Sequence, residues 1–173
     1  MTLKKAVGCA VCFLALSMLV LPINAQSDRG KAELSASTGK IVVDYGRPQL
    51  KGRDPLTWQQ DGTYWRMGSN DMTTLRAPVD LQFGKTKVTK GTYGLWLLKV
   101  SADRYELAFN SDTPGMGMSH DKSKDVASVP MKKESVVSVV EAFTIDLKGT
   151  ENSGTFAMIW GTVKLSADFQ FGK

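Results

Sequence analysis

Two neighbouring motifs decide how this sequence folds. Y-G-R-P-Q-L-K-G-R-D-P runs from Tyr45 to Pro55, and W-R-M-G-S-N-D-M-T-T runs from Trp65 to Thr74. Glycine and proline at this density form shaped loops and not regular elements. Arginines in shaped loops either bind anions or tie the loop together. We therefore expect the stretch from Tyr45 to Thr74 to hold any functional site, with β-strands supporting it.

The sequence around this stretch alternates with a period of two, which is typical of β-strands. No segment of ten residues after the N-terminal region combines a helical period with caps. Roughly eight to ten short strands at regular spacing predict an all-β fold, a single two-sheet antiparallel β-sandwich or jelly-roll-like domain. The predicted strands are 40–45, 63–67, 74–83 with a kink at Pro78, 87–100, one beginning at Tyr105, 125–131, 135–147 and 155–171.

The N-terminal region has the pattern of a cleaved secretory signal peptide. Lys4 and Lys5 precede an apolar run of about 16 residues, and Ala25 ends a sequence that resembles a cleavage site. A membrane anchor is the alternative, but a spanning helix needs ~20 apolar residues. We therefore predict a signal peptide at 1–25, a flexible segment at 26–30 and one domain at 31–173.

Composition narrows the class of protein further. Removal of Lys4 and Lys5 lowers the formal net charge from +5 to +3, and no basic run is interleaved with aromatic residues. We therefore expect no nucleic-acid partner. Cys9 and Cys12 are both in the signal peptide, so the mature protein is predicted to have no disulfide. The predicted location is periplasmic or extracellular, with no membrane insertion after cleavage, and the oligomeric state stays open.

Several motifs together resemble a known family. Y-G-R-P-x-x-K-G-R, W-R-x-G-x-N-x-x-T, G-T-Y and V-E-x-F-T-I occur in that order. They are similar to the domain of unknown function 2911 family of bacterial secreted proteins, over about Lys31 to Leu165. The resemblance implies export and a β fold, and it implies no reaction because the family has no established activity. It also implies that a histidine at His120 is unusual, which argues against a metal role.

The candidate ligand-binding residues all come from the opening stretch. Guanidinium forks bind planar anions and also stack on aromatic faces. A sugar ring could stack on Trp58, Tyr64 or Trp65. The alternative is that the arginines donate to loop carbonyls and only fix the loops. The candidate residues are Arg47, Arg53, Trp65, Arg66, Asn70 and Asp71.

Glu141 is unusual among the charged residues. By parity it shares a strand face with Phe143 and Ile145, so it is predicted to be buried. A buried carboxylate needs a partner, and we expect an ion pair with one of the arginines at positions 47, 53 or 66. The alternative is a general acid with a raised pKa.

Other chemistries have weaker support. A glycosidase needs two carboxylates about 5–10 Å apart, and the candidates are Asp44, Asp71, Glu106 and Glu141. His120, in the long loop 110–124, lacks the further ligands of a metal site, and a solvated loop is expected there. We predict no catalytic residue, metal or cofactor.

The leading functional prediction is non-catalytic binding of a small anionic or glycan ligand by this exported domain. The first alternative is an enzyme acting on envelope or extracellular carbohydrate. The second is a structural module of the cell envelope.

Overall fold

A computed structural model of the chain describes residues 28–113 and 119–171, and the predicted signal peptide lies outside these ranges. The described chain is almost entirely β-strand, and a short 3₁₀ helix at Lys122–Lys124 is its one helical element. No helix in this part of the chain is long and apolar enough to cross a membrane. The strands are β1 (Arg29–Ala36), β2 (Gly39–Gly46), β3 (Tyr64–Trp65), β4 (Thr74–Ala77), β5 (Leu81–Phe83), β6 (Thr86–Val88), β7 (Gly91–Ser101), β8 (Arg104–Asn110), β9 (Asp125–Gly149) and β10 (Ser153–Phe171).

The strands pair antiparallel throughout, which confirms the predicted all-β class. Their order is β1-β2-β4-β7-β8-β9-β10-β5-β6, and β3 pairs with β7. One continuous ten-stranded sheet thus replaces the two separate sheets that the sequence predicted. The cause is β9, whose 25 residues pair first with β8, up to Met131, and then with β10 from Lys132 to Gly149.

The apolar faces of the two parts of this sheet pack on each other. The ring of Tyr45 on β2 meets Phe143 on β9 edge-on, with centroids 5.8 Å apart. The Tyr45 hydroxyl donates to the carbonyl of Ile145 at 3.1 Å. Each large apolar side chain buried in this way stabilises the fold by about 1.5–3 kcal/mol. Fully buried side chains include Phe109, Phe143, Phe156, Leu95 and Leu107.

The β9–β10 pair is interrupted at Gly161. Gly161 pairs with Val140, whereas Val163 pairs with Ser135, so residues 136–139 lie opposite a single residue of β10. Gly161 has φ +61°, and a Cβ there would lie 2.7 Å from Pro55 Cγ. A positive φ and this close approach both require glycine. The loop after β2 therefore packs directly on the backbone at this kink.

Backbone strain is concentrated in the stretch between Tyr45 and Thr74. Four non-glycine residues of the described chain have positive φ, and all four are in this stretch. Such conformations cost on the order of 1–3 kcal/mol each and persist only where the surroundings enforce them. Two of the four side chains are buried, which fixes these backbone positions. The four are Lys51, Leu56, Met67 and Asn70.

Candidate functional site

The loop between β2 and β3 is attached to β9 by main-chain hydrogen bonds. The Leu50 amide donates to the Glu141 carbonyl at 2.8 Å, and the Phe143 amide donates to the Pro48 carbonyl at 2.9 Å. A β-bridge joins Gln49 to Ala142. The first residues of this loop thus extend the sheet, which places the remainder of the loop beside the kink in β10.

Three tryptophans form what we call the tryptophan ledge, made of Trp58, Trp65 and Trp160. Trp65 is buried and stacks on Trp160, with centroids 5.6 Å apart and planes 17° apart. Trp58 meets Trp65 edge-on at 5.7 Å and is 52% exposed. The indole of Trp160 donates to the carbonyl of Glu141 at 3.3 Å. Trp65 therefore supports the ledge from below, and Trp58 is the member that a ligand can reach.

Arg53 has the loop-fixing role that the sequence left as the alternative. Its Nε donates to the Leu50 carbonyl and its Nη2 to the Gln49 carbonyl, both at 3.1 Å. The residue remains exposed. Its guanidinium is thus held in place at the surface of the loop that also carries Trp58.

The predicted burial of Glu141 is wrong. The residue is exposed, and its Oε1 accepts from the Lys51 amide at 2.8 Å. The register shifts between Ile159 and Gly161, so residues 141–143 lie opposite Trp160 alone and the alternation that buries Phe143 and Ile145 is broken at Glu141. Exposure also removes the burial on which the general-acid alternative depended. Glu141 therefore acts as a side-chain acceptor for the loop.

The other predicted residues gather at the end of β2. Arg47 is half-buried, and its Nη1 lies 3.7 Å from an Asp28 carboxylate oxygen. Its Nε is buried and has no hydrogen-bond partner among the described residues. Asn70 and Asp71 are exposed in the turn after β3. This turn packs directly on the end of β2, since a Cβ added to Gly46 would lie only 2.0 Å from the Ser69 carbonyl oxygen.

Arg29, which the sequence did not single out, ties this turn to β1 and β2. Its Nε donates to Asp44 at 2.6 Å and its Nη1 to the Asp71 carbonyl at 3.3 Å. The contacts of the predicted residues therefore form two clusters. Arg53 and Trp65 are part of the cluster formed by the β2–β3 loop and the ledge, whereas Arg47 and Asp71 are part of the cluster at the end of β2. Arg66 directly follows Trp65 and is partly buried.

His120 is not solvated, contrary to the prediction. Its side chain is 8% exposed and its Nε2 lies 2.9 Å from Asp125 Oδ1. Its ring stacks on Tyr64 at 3.6 Å and meets Trp96 edge-on at 5.1 Å. The sequence contained one indication that His120 is covered. Trp96 and Leu98 are apolar on the outer face of β7, so another part of the chain has to shield them from solvent. The long loop between β8 and β9 does this.

A small surface groove lies beside this histidine. It has a volume of about 340 Å³, and Tyr64, Glu106, Asp125 and Ser128 are among its lining residues. Burial raises the pKa of Tyr64, and the nearby carboxylates of Asp125 and Glu106 raise it further. The Tyr64 hydroxyl is therefore a hydrogen-bond donor at neutral pH. Within 28–113 and 119–171, no group of three or more His, Cys, Asp or Glu residues could hold a metal ion.

The chain is an all-β antiparallel domain, and the candidate site on its β2–β3 loop has aromatic and polar side chains. The chain belongs to the DUF2911 family, described as a protein of unknown function, and the family model matches residues 27–169. The resemblance that the motifs indicated is thereby confirmed. No curated protein and no solved structure shows a significant match.

Proposed function

We propose that this protein is an exported binding domain that holds a glycan on the tryptophan ledge without catalysis. The observation that carries the proposal is the exposure of Trp58, which is 52% although its ring is in contact with Trp65. Tryptophan is among the residues that are enriched at binding interfaces and at their energetic hot spots. The export and the periplasmic or extracellular location rest on the signal-peptide pattern.

The support beneath Trp58 favours ring stacking. An indole offers a large apolar face together with a polar N–H, so it suits ligands that have both apolar and polar surfaces, such as sugar rings. Trp65 packs edge-on against Trp58 and is itself stacked on Trp160. A side chain ordered before binding loses less conformational entropy when the ligand arrives.

Polar groups near the ledge suit the hydroxyl and acidic substituents of a glycan. The guanidinium of Arg53 is exposed and positioned by two carbonyls. The carboxylate of Glu141 is exposed and accepts from the loop. Arginine binds carboxylate or sulfate substituents through charge-assisted hydrogen bonds, so an acidic glycan fits this surface as well as a neutral one.

The carbohydrate-active enzyme remains the second candidate, and its support is weaker. Glu141 contacts the loop at the ledge, whereas the carbonyl of Asp71 contacts Arg29 at the end of β2. Glycoside hydrolysis uses two facing carboxylates, and these two residues have their contacts on different elements of the fold. A structural envelope module would need no ligand at Trp58, and binding measurements distinguish it.

The test is glycan binding by wild-type protein and by Trp58→Ala. A panel of immobilised bacterial envelope glycans identifies a ligand, and isothermal titration calorimetry then measures its Kd. We expect Trp58→Ala to weaken binding at least tenfold, which corresponds to about 1.4 kcal/mol.

The matched control is Val126→Ala, because Val126 is also 52% exposed but is on a different surface. This variant should bind as the wild type does. Absence of binding to every glycan, or an unchanged Kd for Trp58→Ala, would overturn the proposal.

A further inference from the structure

A long groove lies on the β9–β10 hairpin, away from the tryptophan ledge. It consists of three adjoining hollows of about 390, 640 and 420 Å³. Gln82, Ser153 and Gln170 line both the first and the second hollow. Lys148 and Thr155 line both the first and the third. Because neighbouring hollows share lining residues, they adjoin one another along the hairpin.

The groove exists because the two ends of β10 meet. The Thr155 hydroxyl donates to Asp168 at 2.5 Å, and the Phe171 amide donates to the Asn152 carbonyl at 3.0 Å. Gln170 on β10 pairs directly with Gln82 on β5. This pairing places two amide side chains next to each other where the first and second hollows meet. We call the whole groove the amide groove, after Gln82, Gln170 and the nearby Asn152 and Ser153.

The charged side chains that line the groove are three lysines and three aspartates, namely Lys87, Lys148, Lys164, Asp80, Asp146 and Asp168. Lys87 lies 2.8 Å from Asp80, Lys148 lies 2.7 Å from Asp146, and Asp168 accepts from the Thr155 hydroxyl. The hydrogen bond from Lys87 lowers the pKa of Asp80, and the hydrogen bond to Asp146 raises the pKa of Lys148. The opposite charges are equal in number and offset each other. No field of one sign is available to select an ionic ligand.

The remaining polar groups are amides and hydroxyls, which both donate and accept hydrogen bonds. The strands beneath them already pair with each other, since Gln170 and Phe171 pair with Gln82 and Leu81. A peptide that binds by strand addition needs an unpaired backbone edge, so this part of the groove favours a ligand that is recognised by side chains. From Gly154 to Ile159, β10 borders the groove for about 17 Å at ~3.3 Å per residue.

We propose that the amide groove is a second binding site, which takes an extended, uncharged oligosaccharide chain. The hydroxyl groups of such a chain match the amide and hydroxyl side chains, and its length matches the series of hollows. The proposal does not depend on the tryptophan ledge. If both sites engage one polymer, the linked binding events would raise its overall affinity.

The test uses cellohexaose, chitohexaose and maltohexaose as probes, with the matching disaccharides. Binding is followed by isothermal titration calorimetry for wild type, the double variant Gln82→Ala/Gln170→Ala, and Ser153→Ala as a milder change. We expect at least one hexasaccharide to bind at least tenfold more tightly than its disaccharide. The double variant should weaken that binding at least tenfold, and Ser153→Ala should weaken it severalfold.

Two controls separate this site from the ledge. Lys85→Ala is in the neighbouring β5–β6 turn, outside the groove lining, and should bind the hexasaccharide as wild type does. The groove variants are also prepared in the Trp58→Ala background, where they should weaken hexasaccharide binding by the same factor. If Trp58→Ala lost hexasaccharide binding while the groove variants kept it, the proposed groove site would be wrong and the ledge would remain the binding site. Equal affinity for disaccharide and hexasaccharide, no binding of any probe, or binding of an extended peptide alone would also overturn it.

Discussion

Two long loops lie against the same sheet, and they are anchored by different chemistry. The loop between β2 and β3 is held by main-chain hydrogen bonds to β9 and by stacked indoles. The described part of the loop between β8 and β9 is held by polar side chains. Asn110 donates to Asp125 and to the Asp121 carbonyl, and His120 lies between Tyr64 and Trp96.

The difference indicates which loop is available for a ligand. In the second loop, the His120 side chain is 8% exposed, and its contacts with Asp125 and two aromatic rings hold the loop against the sheet. In the first loop, Trp65 is buried, Arg53 fixes the loop from its surface, and Trp58 remains exposed. Trp58 is therefore the better candidate for contact with a ligand, because tryptophan is enriched at binding interfaces.

The largest expected effect comes from removal of the buried member of the ledge. Trp65→Ala should lower the free energy of unfolding by about 3–5 kcal/mol, because Trp65 contacts Trp58, Phe143 and Trp160. Trp58→Ala should cost less than about 1 kcal/mol. Urea denaturation measures both. Equal losses would mean that Trp58 is an anchor, and the contrast between the two loops would fail.

The second loop should respond to the loss of its polar anchor. Asn110 is 1% exposed and also accepts from the Asp112 amide at 2.8 Å. Asn110→Ala should destabilise the protein by about 2–3 kcal/mol, since it leaves buried groups unsatisfied. Asn152→Ala, at an exposed asparagine, is the control and should change little. If Asn110→Ala lost no more stability than the control, the packing of His120 alone would hold the loop.

The titration of Tyr64, whose ring stacks on His120, should report on the packing of the second loop in alkaline solution. Burial and two carboxylates raise its pKa in the folded protein. Its contribution to stability is therefore complete below the unfolded pKa of about 10 and is lost as pH rises through the folded value. Tyr64→Phe should remove this alkaline decline, and absorbance titration of the phenols measures it. A Tyr64 that titrates at the ordinary phenol pKa of about 10 would contradict the stacked arrangement.

The smallest effect is expected at Glu141. Its Oε1 accepts from the Lys51 amide, and a glutamine oxygen can accept in the same way. Glu141→Gln should change the free energy of unfolding by less than about 0.5 kcal/mol. A buried ion pair would instead cost ~3–5 kcal/mol when broken. Thermal or urea unfolding distinguishes the two values, and a large loss would restore the buried pair.

Some predictions from the sequence failed where the local pattern did not extend through an irregularity. The predicted strands 125–131 and 135–147 are one strand, because residues 132–134 continue β9 and pair with β10. Glu141 has the parity of a buried residue, but the extra residues of β9 on either side of the pair with Gly161 interrupt the alternation. Period-two reasoning assumes an unbroken pleat, and the local pattern does not show where the pairing with β10 is irregular.

The sequence by itself determined the all-β class, since alternation of apolar and polar residues is a local property. It also determined where the backbone is most constrained, because glycine and proline mark shaped loops wherever they are dense. Only the tertiary structure decided that Trp65 is covered and Trp58 exposed. That outcome depends on Trp160, which is far away in the chain and stacks on Trp65. Burial is set by neighbours in space, and those neighbours come from strands that the local sequence does not name.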